Sequence, residues 1–372
     1  MKNKNISEDA GYSATVAGDD KRGKLPGILV KYLLPLVLTV FLVWYMFTKV
    51  SFSEVMGILK NGVNLWWILL AMGISVFSHI FRAMRWGLQL RGLGICPAFM
   101  ALCCSIFGTY ALNLVFPRFG EVWRCAYISQ REKAPFSTVL GSMVADRLAD
   151  TFSVLAITIL TFVVASSAMT SFLAKYPVGE GFLQMIYNPW FWFAAVLVII
   201  VMWGVLRIAG NTAFVIKIKG ILYELWKGFA VVGTMRGRGK FIILTICIWT
   251  CYFLQLYAAF FAFPFTSRLC EDQSLAFGLT PCLVAFVLSS IGMAIPSNGG
   301  LGPWNIAVVF GLAIYGISDS EGIPFSILVW SAQTVMLIIL GIFTMFYISY
   351  SRKKSSAPAT PSIAVDKDTS GK

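Results

Sequence analysis

Long apolar runs recur along the chain, separated by short polar stretches. A helix needs about 20 mostly apolar residues to cross a bilayer, and six runs reach that length outright: 28–48, 64–84, 138–168, 190–208, 241–263 and 325–349. Two further regions are as apolar but interrupted, 97–131 at "FPRFGE" and 279–318 at "IPSNGGLGPWN". The pattern predicts an all-α fold, a polytopic helical membrane protein with six full spans and two broken or re-entrant helical hairpins. The first run is long for a signal-peptide core and has no small-residue cleavage site after it, so it reads as a retained span.

Lysine and arginine near the span ends set the orientation. Seven basic residues lie from Arg207 to Lys240 against one acid, Glu224, which places that loop in the cytoplasm. Arg82, Arg85 and Arg91 mark another inner end, as do Lys21, Arg22 and Lys24 before the first span and Arg352, Lys353 and Lys354 after the last. Loops 49–63, 169–189 and 264–278 are poor in basic residues and belong outside. These assignments agree only if 97–131 enters and leaves on one side, as a re-entrant hairpin turning at Pro117 to Gly120. For 279–318, parity allows re-entry or two crossings, and the short arms and Gly/Pro-rich break favour re-entry. Both termini then lie in the cytoplasm.

Taken in order, the elements repeat. Two spans, a broken hairpin and a span make up 28–168, and the same series makes up 190–349, joined through 169–189 and starting from the opposite side. An inverted repeat with breaks at matching positions points to a transporter whose site lies where the breaks meet. The plainer alternative is an even-numbered bundle with two kinked helices. Residues 25–350 thus form a single transmembrane domain, flanked by polar tails, 1–24 and 351–372, that cannot bury enough surface to order themselves. Between the halves, 212–235 carries Phe214, Ile218, Ile221, Leu225 and Phe229 at helical spacing, an amphipathic helix suited to the inner membrane surface.

Composition reinforces this reading. Residues are 58% hydrophobic and 13% charged, against roughly 45–50% and about 25% in soluble domains. The net charge of +13 comes without a nucleic-acid motif, so it fits cytoplasmic loops and anionic lipid. The eight cysteines include no C-x-x-C and read as small buried hydrophobes. His79, the single histidine, lies in a span and reads as a helix–helix hydrogen-bonding group.

Charges within the apolar regions carry the functional signal. At "PRFGEVWR", Pro117 ends one arm and Gly120 relaxes the backbone, while Glu121 and Arg124 lie one turn apart on the returning arm beside Arg118. The next span contains "ADRLAD", with Asp146 and Asp150 on one face and Arg147 between them. Arg82 and Arg85 sit near an inner helix end, where snorkelling to phosphate headgroups is the usual explanation, and Trp86 fits an interfacial anchor. Isolated charges at membrane depth cost at least about 2.5–3.5 kcal/mol, so these need partners or water. A structural pairing, Arg147 with Asp150 or Arg118 with Asp146, is one expectation. Basic groups outnumber acidic ones, which favours an anionic substrate group, and the arginine fork suits phosphate. The second break, bounded by Pro296 and by Gly302 and Pro303, offers Asn298 and the backbone N–H groups of Gly299 and Gly300 as a possible anion cradle.

"RAMRW", "FPRFGEVWR" followed by "ADRLAD", and the late "PSNGGLG" together resemble the membrane domain of lysylphosphatidylglycerol synthases, a family that includes stand-alone flippase-like proteins. The resemblance covers roughly 28–349. It implies a protein of the bacterial inner membrane that moves a lipid or lipid-linked group between leaflets, and it maps Arg118, Gly120, Glu121, Arg124, Arg147 and Asp150 onto the family's motifs. Where such proteins often carry an acid after the second glycine-rich turn, this chain has Trp304 and Asn305, so no coupling role is implied there. Only a short tail follows the last apolar run, so lysine transfer is not assigned. The expected function is a flippase or related transporter for an anionic phospholipid or lipid-linked group, its phosphate held by Arg118 and Arg124 with Glu121, Asp146 and Asp150 holding those arginines in place, and with no cofactor, no metal and no catalytic residue. A membrane-embedded lipid transferase and a scaffold for a partner enzyme are the alternatives. Aspartate-rich transferases cluster several carboxylates to bind Mg²⁺-diphosphate, and "DRLAD" has two.

Overall fold

A computed structural model describes residues 62–166 and 213–356, Gly57 and scattered positions between 188 and 200. Among them the chain forms ten α-helices and no strand. The expected span 28–48 lies outside the described residues, and 190–208 is described only at isolated helical positions as far as Ile200.

Helix α1, Leu65–Gly92, starts where the Asn64 side chain accepts a hydrogen bond from the Trp66 N–H, and it runs two turns past the apolar stretch read from sequence. The interrupted region becomes two antiparallel helices, α2 (Phe99–Val115) and α3 (Phe119–Glu132). Pro117 cannot continue α2, and Arg118 takes a left-handed conformation, φ 59°, to send the chain back. Lys133, also left-handed, ends α3, and Pro135 precedes α4, Phe136–Val164. The segment between the halves forms α5, Ala213–Thr234. Helix α6 (Arg238–Phe260), the short α7 (Pro264–Glu271), α8 (Leu279–Gly292), α9 (Pro303–Ala313) and α10 (Asp319–Ser356) follow. Helix α10 thus continues beyond position 350, where the sequence places the tail.

Helices α1, α4, α6 and α10 as far as Ser351 are long and apolar enough to cross a membrane, whereas α2, α8 and α9 are apolar but shorter. Large apolar side chains on the outer faces support the membrane setting. Phe152, Leu155 and Ile159 on α4, Ile242 and Ile246 on α6, and Ile339 and Phe346 on α10 are all exposed. So broad an exposed apolar face fits lipid and not water.

Two large apolar cores lie mainly one in each half, and a smaller one, of Ala71, Met72, Ala258, Met336 and Leu337, joins them. Trp86, Leu90, Leu102, Ile106, Cys125, Ile128 and Val139 pack between α1, α2, α3 and α4. Phe260, Phe263, Cys282, Phe286, Val308, Leu312 and Phe325 fill the other. The halves meet along α1 and α6, while α2 packs on α10 and α8 packs on α4. Of the cysteines, Cys103, Cys104, Cys125, Cys270 and Cys282 are buried, as their apolar surroundings require.

Helix α5 is tied to α4 more closely than a purely surface helix. A Cβ at Gly228 would lie 2.2 Å from the Thr138 carbonyl oxygen, and one at Gly141 would lie 2.2 Å from that of Leu225. Two glycines therefore bring the backbones together, and Thr138 donates to the Glu224 carboxylate across the same crossing. Amphipathic spacing does not register this contact, because glycine adds nothing to an apolar face. Gly228→Val is expected to push the helices apart at an overpacking cost of about 1–3 kcal/mol. Its check is the thermal unfolding midpoint of the purified protein in detergent, and an unchanged midpoint would show that the contact carries no stability.

Candidate functional site

Arg82 and Arg85 are one turn apart on α1 and buried, at 2% and 0% exposure. They turn inward and do not snorkel to the membrane surface, because α4 presents two carboxylates on the facing side. Arg85 Nη2 lies 2.7 Å from Asp146 Oδ1 and 2.7 Å from Asp150 Oδ1, so one guanidinium spans both acids. Its Nε also donates to Asp146 Oδ1 at 2.9 Å. Arg82 Nη1 is 2.5 Å from Asp150 Oδ2 and 3.8 Å from Asp146 Oδ2. The i,i+4 spacing of the acids matches the i,i+3 spacing of the arginines, so the two helices are joined by a fork-to-carboxylate network in a place without bulk water.

Helix α3 adds the group that lacks full compensation. Arg124 is completely buried, and its guanidinium lies over the Trp86 ring, 4.6 Å from the centroid. Trp86 is itself buried and donates from its indole to Ser142 at 3.1 Å, so it is a platform for Arg124 and not an interfacial anchor. The nearest carboxylate oxygen to Arg124 is Asp146 Oδ2, at 3.5 Å. Its Nε and Nη1 have no hydrogen-bond partner among the described residues. A turn away, Glu121 takes Arg147 Nε at 3.0 Å, and Arg147 Nη1 reaches Asp150 Oδ2 at 3.4 Å. The expected Arg147–Asp150 pair is therefore present.

The cluster thus joins four arginines, 82, 85, 124 and 147, to three carboxylates, 121, 146 and 150. One positive charge is left over. Charge buried without a partner costs several kcal/mol, so the surplus calls for an anion or ordered water, and the open donors of Arg124 are where it would bind.

Arg118 stands apart. It is exposed, and its guanidinium donates to the Ala294 carbonyl at 2.9 Å, so the alternative pairing with Asp146 does not form. That contact crosses from one break to the other, and two more follow it. Gly299 N–H donates to the Asn113 carbonyl at 3.0 Å, and the Asn298 amide donates to the Val115 carbonyl at 3.4 Å. The breaks face each other, but the Gly299 N–H and the Asn298 amide N–H are used in that meeting and are not left to cradle an anion. Gly300 packs on Met293, whose sulfur would lie 2.5 Å from a Cβ there. Pro303 opens α9 at its first turn, and the Asn305 side chain accepts from the Gly302 N–H while donating to the Ser326 carbonyl, each at 3.0 Å. At this position, then, the chain has a helix-start brace. Pro117 and Pro296 shape the two breaks and contribute no ligand group.

The structure also brings in residues with no charge to announce them. Tyr252 on α6 accepts from Arg82 Nη2 at 3.3 Å and lies 3.4 Å from the Tyr110 hydroxyl. Thr245, two turns before it, accepts from Arg85 Nη1 at 3.3 Å. A polar side chain recurring at Thr245, Tyr252 and Gln255 within an apolar span is the signal that marks this face of α6. Among the described residues no group of three or more metal-ligating side chains lies together.

No curated protein matches the chain. A family model described as "Lysylphosphatidylglycerol synthase TM region" matches residues 32–341, a stretch that takes in both breaks, the paired arginines of α1 and the acids of α4. The chain belongs to the lysylphosphatidylglycerol synthase transmembrane-region family.

Proposed function

We propose that this chain is a lipid flippase of the bacterial cytoplasmic membrane, moving an anionic phospholipid or lipid-linked group between leaflets, with both termini in the cytoplasm. One observation carries the reading: a buried cluster of four arginines and three carboxylates leaves Arg124 with open donors. A phosphate held there would accept from Arg124 and offset the surplus charge, while Glu121, Asp146 and Asp150 hold the remaining arginines in place. Acyl tails would stay in the bilayer, so the protein moves only the polar end. Membership of a family named for a lipid-modifying membrane protein agrees with a lipid substrate.

Helix packing supports an inverted repeat as the means of transport. Exchanging α1 with α6, α2 with α8 and α4 with α10 turns the α2–α10 contact into α8–α4 and leaves α1–α6 as itself. Each half holds most of one large core, and rocking would take place about the α1–α6 seam, where a smaller shared core of Ala71, Met72, Ala258, Met336 and Leu337 joins them.

A leaflet-resolved assay on fluorescent phosphatidylglycerol in reconstituted vesicles tests the reading. Arg124→Gln keeps a polar side chain but removes the charge, and it is expected to slow translocation about tenfold or more, the effect of losing a charged hydrogen bond. Arg118→Ala, outside the cluster, is expected to slow translocation less than Arg124→Gln, because its exposed guanidinium makes one bond, to the Ala294 carbonyl, that water can replace. Equal rates for wild type and Arg124→Gln would remove the assignment.

A further inference from the structure

Arg124 has open donors but no exposed surface, so an anion has to reach it past another part of the cluster. The exposure of the charged side chains shows where. Those of Arg85, Arg124 and Asp146 are fully enclosed, and that of Arg82 is nearly so. Asp150 rises to 13%, Glu121 to 21% and Arg147 to 31%. The cluster is therefore closed towards α1 and opens at one edge, between α3 and α4, where Glu121 meets Arg147.

The flanks of that edge are apolar. On α4, Val144 lies one turn before Arg147 and Leu148 directly after it, and both are exposed; on α3, Val122 is exposed beside Glu121. The opening thus belongs to the same outer surface as Phe152, Leu155 and Ile159. A lipid phosphate entering here leaves its acyl chains outside, against Val122, Val144 and Leu148. A soluble anion has no such surface to approach along.

Glu121 is also the least firmly held of the three acids. Asp146 pairs with Arg82, Arg85 and Arg124, and Asp150 with Arg82, Arg85 and Arg147. Among the described residues Glu121 pairs with Arg147 alone. Arg147 Nε lies 3.0 Å from Glu121 Oε1 yet makes no hydrogen bond, because its N–H is not aimed at the carboxylate. A phosphate oxygen in line with that N–H makes the charge-assisted bond that Glu121 does not. From there the way inward is short: Glu121 and Arg124 are one turn apart on α3, about 4.5 Å along the helix.

We propose that Glu121 is an internal anion occupying the phosphate position on Arg147, at a lateral opening between α3 and α4 through which a lipid headgroup reaches Arg124. The proposal rests on the lipid-transport reading and adds the route of entry. Lipid phosphate displaces the carboxylate from Arg147 and then passes to the open donors of Arg124, and Glu121 returns to Arg147. Release retraces the same path, so Glu121 sets the rate of exchange in both directions.

Binding and release of phosphatidylglycerol with a fluorescent acyl chain, measured on the purified full-length protein in detergent, test this. Glu121→Asp keeps the charge but draws it back from Arg147 by one methylene. It is expected to speed both binding and release about threefold or more, the fold-change of one weakened ion pair, with equilibrium affinity within about twofold of wild type. An acid that merely holds the fold or supplies background charge would leave both rates as they are, and that result would overturn its part. Leu148→Trp narrows the opening and is expected to slow both rates severalfold. Ile159→Trp, on the same exposed stripe about 16 Å further along α4, is expected to exchange lipid as wild type does. Equal rates for the two tryptophan variants would overturn the lateral route. Free glycerol phosphate is expected not to compete at concentrations matched to the lipid, and competition at equal strength would place the entry in water instead. Each of these failures leaves translocation by wild type standing, whereas a wild type that neither binds nor translocates phosphatidylglycerol would count against the transport reading itself.

Discussion

Replacing Asp146 with alanine is expected to cost about 3–5 kcal/mol and to leave little folded protein in the membrane. Asp146 is fully buried and takes Arg85 at 2.7 Å, Arg124 at 3.5 Å and Arg82 at 3.8 Å. Its removal leaves Asp150 alone against Arg82 and Arg85, with Arg124 facing no carboxylate. The penalty comes from uncompensated charge and not from lost packing, so a second change can relieve it. Asp146→Ala combined with Arg124→Met restores the charge balance and is expected to recover a large part of the lost stability, though not transport. Unfolding midpoints of the single and double variants in detergent check this. If the double variant is no more stable than the single one, the charge account fails.

Gly120→Ala is the second large effect. A Cβ on Gly120 would lie 2.1 Å from the carbonyl oxygen of Thr109, a backbone atom of the opposing arm that has no room to move. The same approach lets Thr109 Oγ1 donate to the Gly120 carbonyl at 3.2 Å and lets the Gly120 N–H donate to the Asn113 side chain at 2.8 Å. One methyl group would part α2 from α3 and shift Arg124, a turn further on, away from Trp86 and Asp146. The expected result is a stability loss at or above the upper end of the usual 1–3 kcal/mol for overpacking, with translocation abolished. Gly73→Ala is the control, since nothing lies within 4 Å of a Cβ there, and alanine in an exposed helical position is expected to leave the midpoint equal or slightly raised. Similar midpoints for the two variants would show that the hairpin tolerates separation.

The sequence already contained the turn at Pro117, because proline and glycine interrupt an apolar run in a way no straight helix allows. The four long helices were legible for the same reason: apolar length is a one-dimensional property. The cluster was legible only as a set. Charges within apolar runs named Arg82, Arg85, Glu121, Arg124, Asp146, Arg147 and Asp150, but which charge faces which depends on how α1, α3 and α4 cross. Hence Arg118, beside Glu121 in the motif, falls outside the cluster, because its left-handed backbone points it at the other break. Arg82 and Arg85 turn inward for the same kind of reason, since their partners are more than sixty positions away. Trp86, Tyr110 and Tyr252 could not be ranked from sequence, as each resembles many aromatic side chains in a membrane span. The α4–α5 crossing escaped notice because the residues that permit it, Gly141 and Gly228, are the ones with no side chain.

The meeting of the two breaks has a mechanical consequence. The contacts there, Arg118 to Ala294, Gly299 to Asn113 and Asn298 to Val115, are hydrogen bonds to backbone carbonyls with no charge pair among them. Water can replace each at a net cost of about 0.5–1.5 kcal/mol, rising towards 3 for the arginine. The arginine–carboxylate lattice below joins α1, α3 and α4 through charges that tolerate no such exchange. The molecule is therefore stiff at its base and compliant at its tips, and thermal motion will part the tips long before it disturbs the lattice.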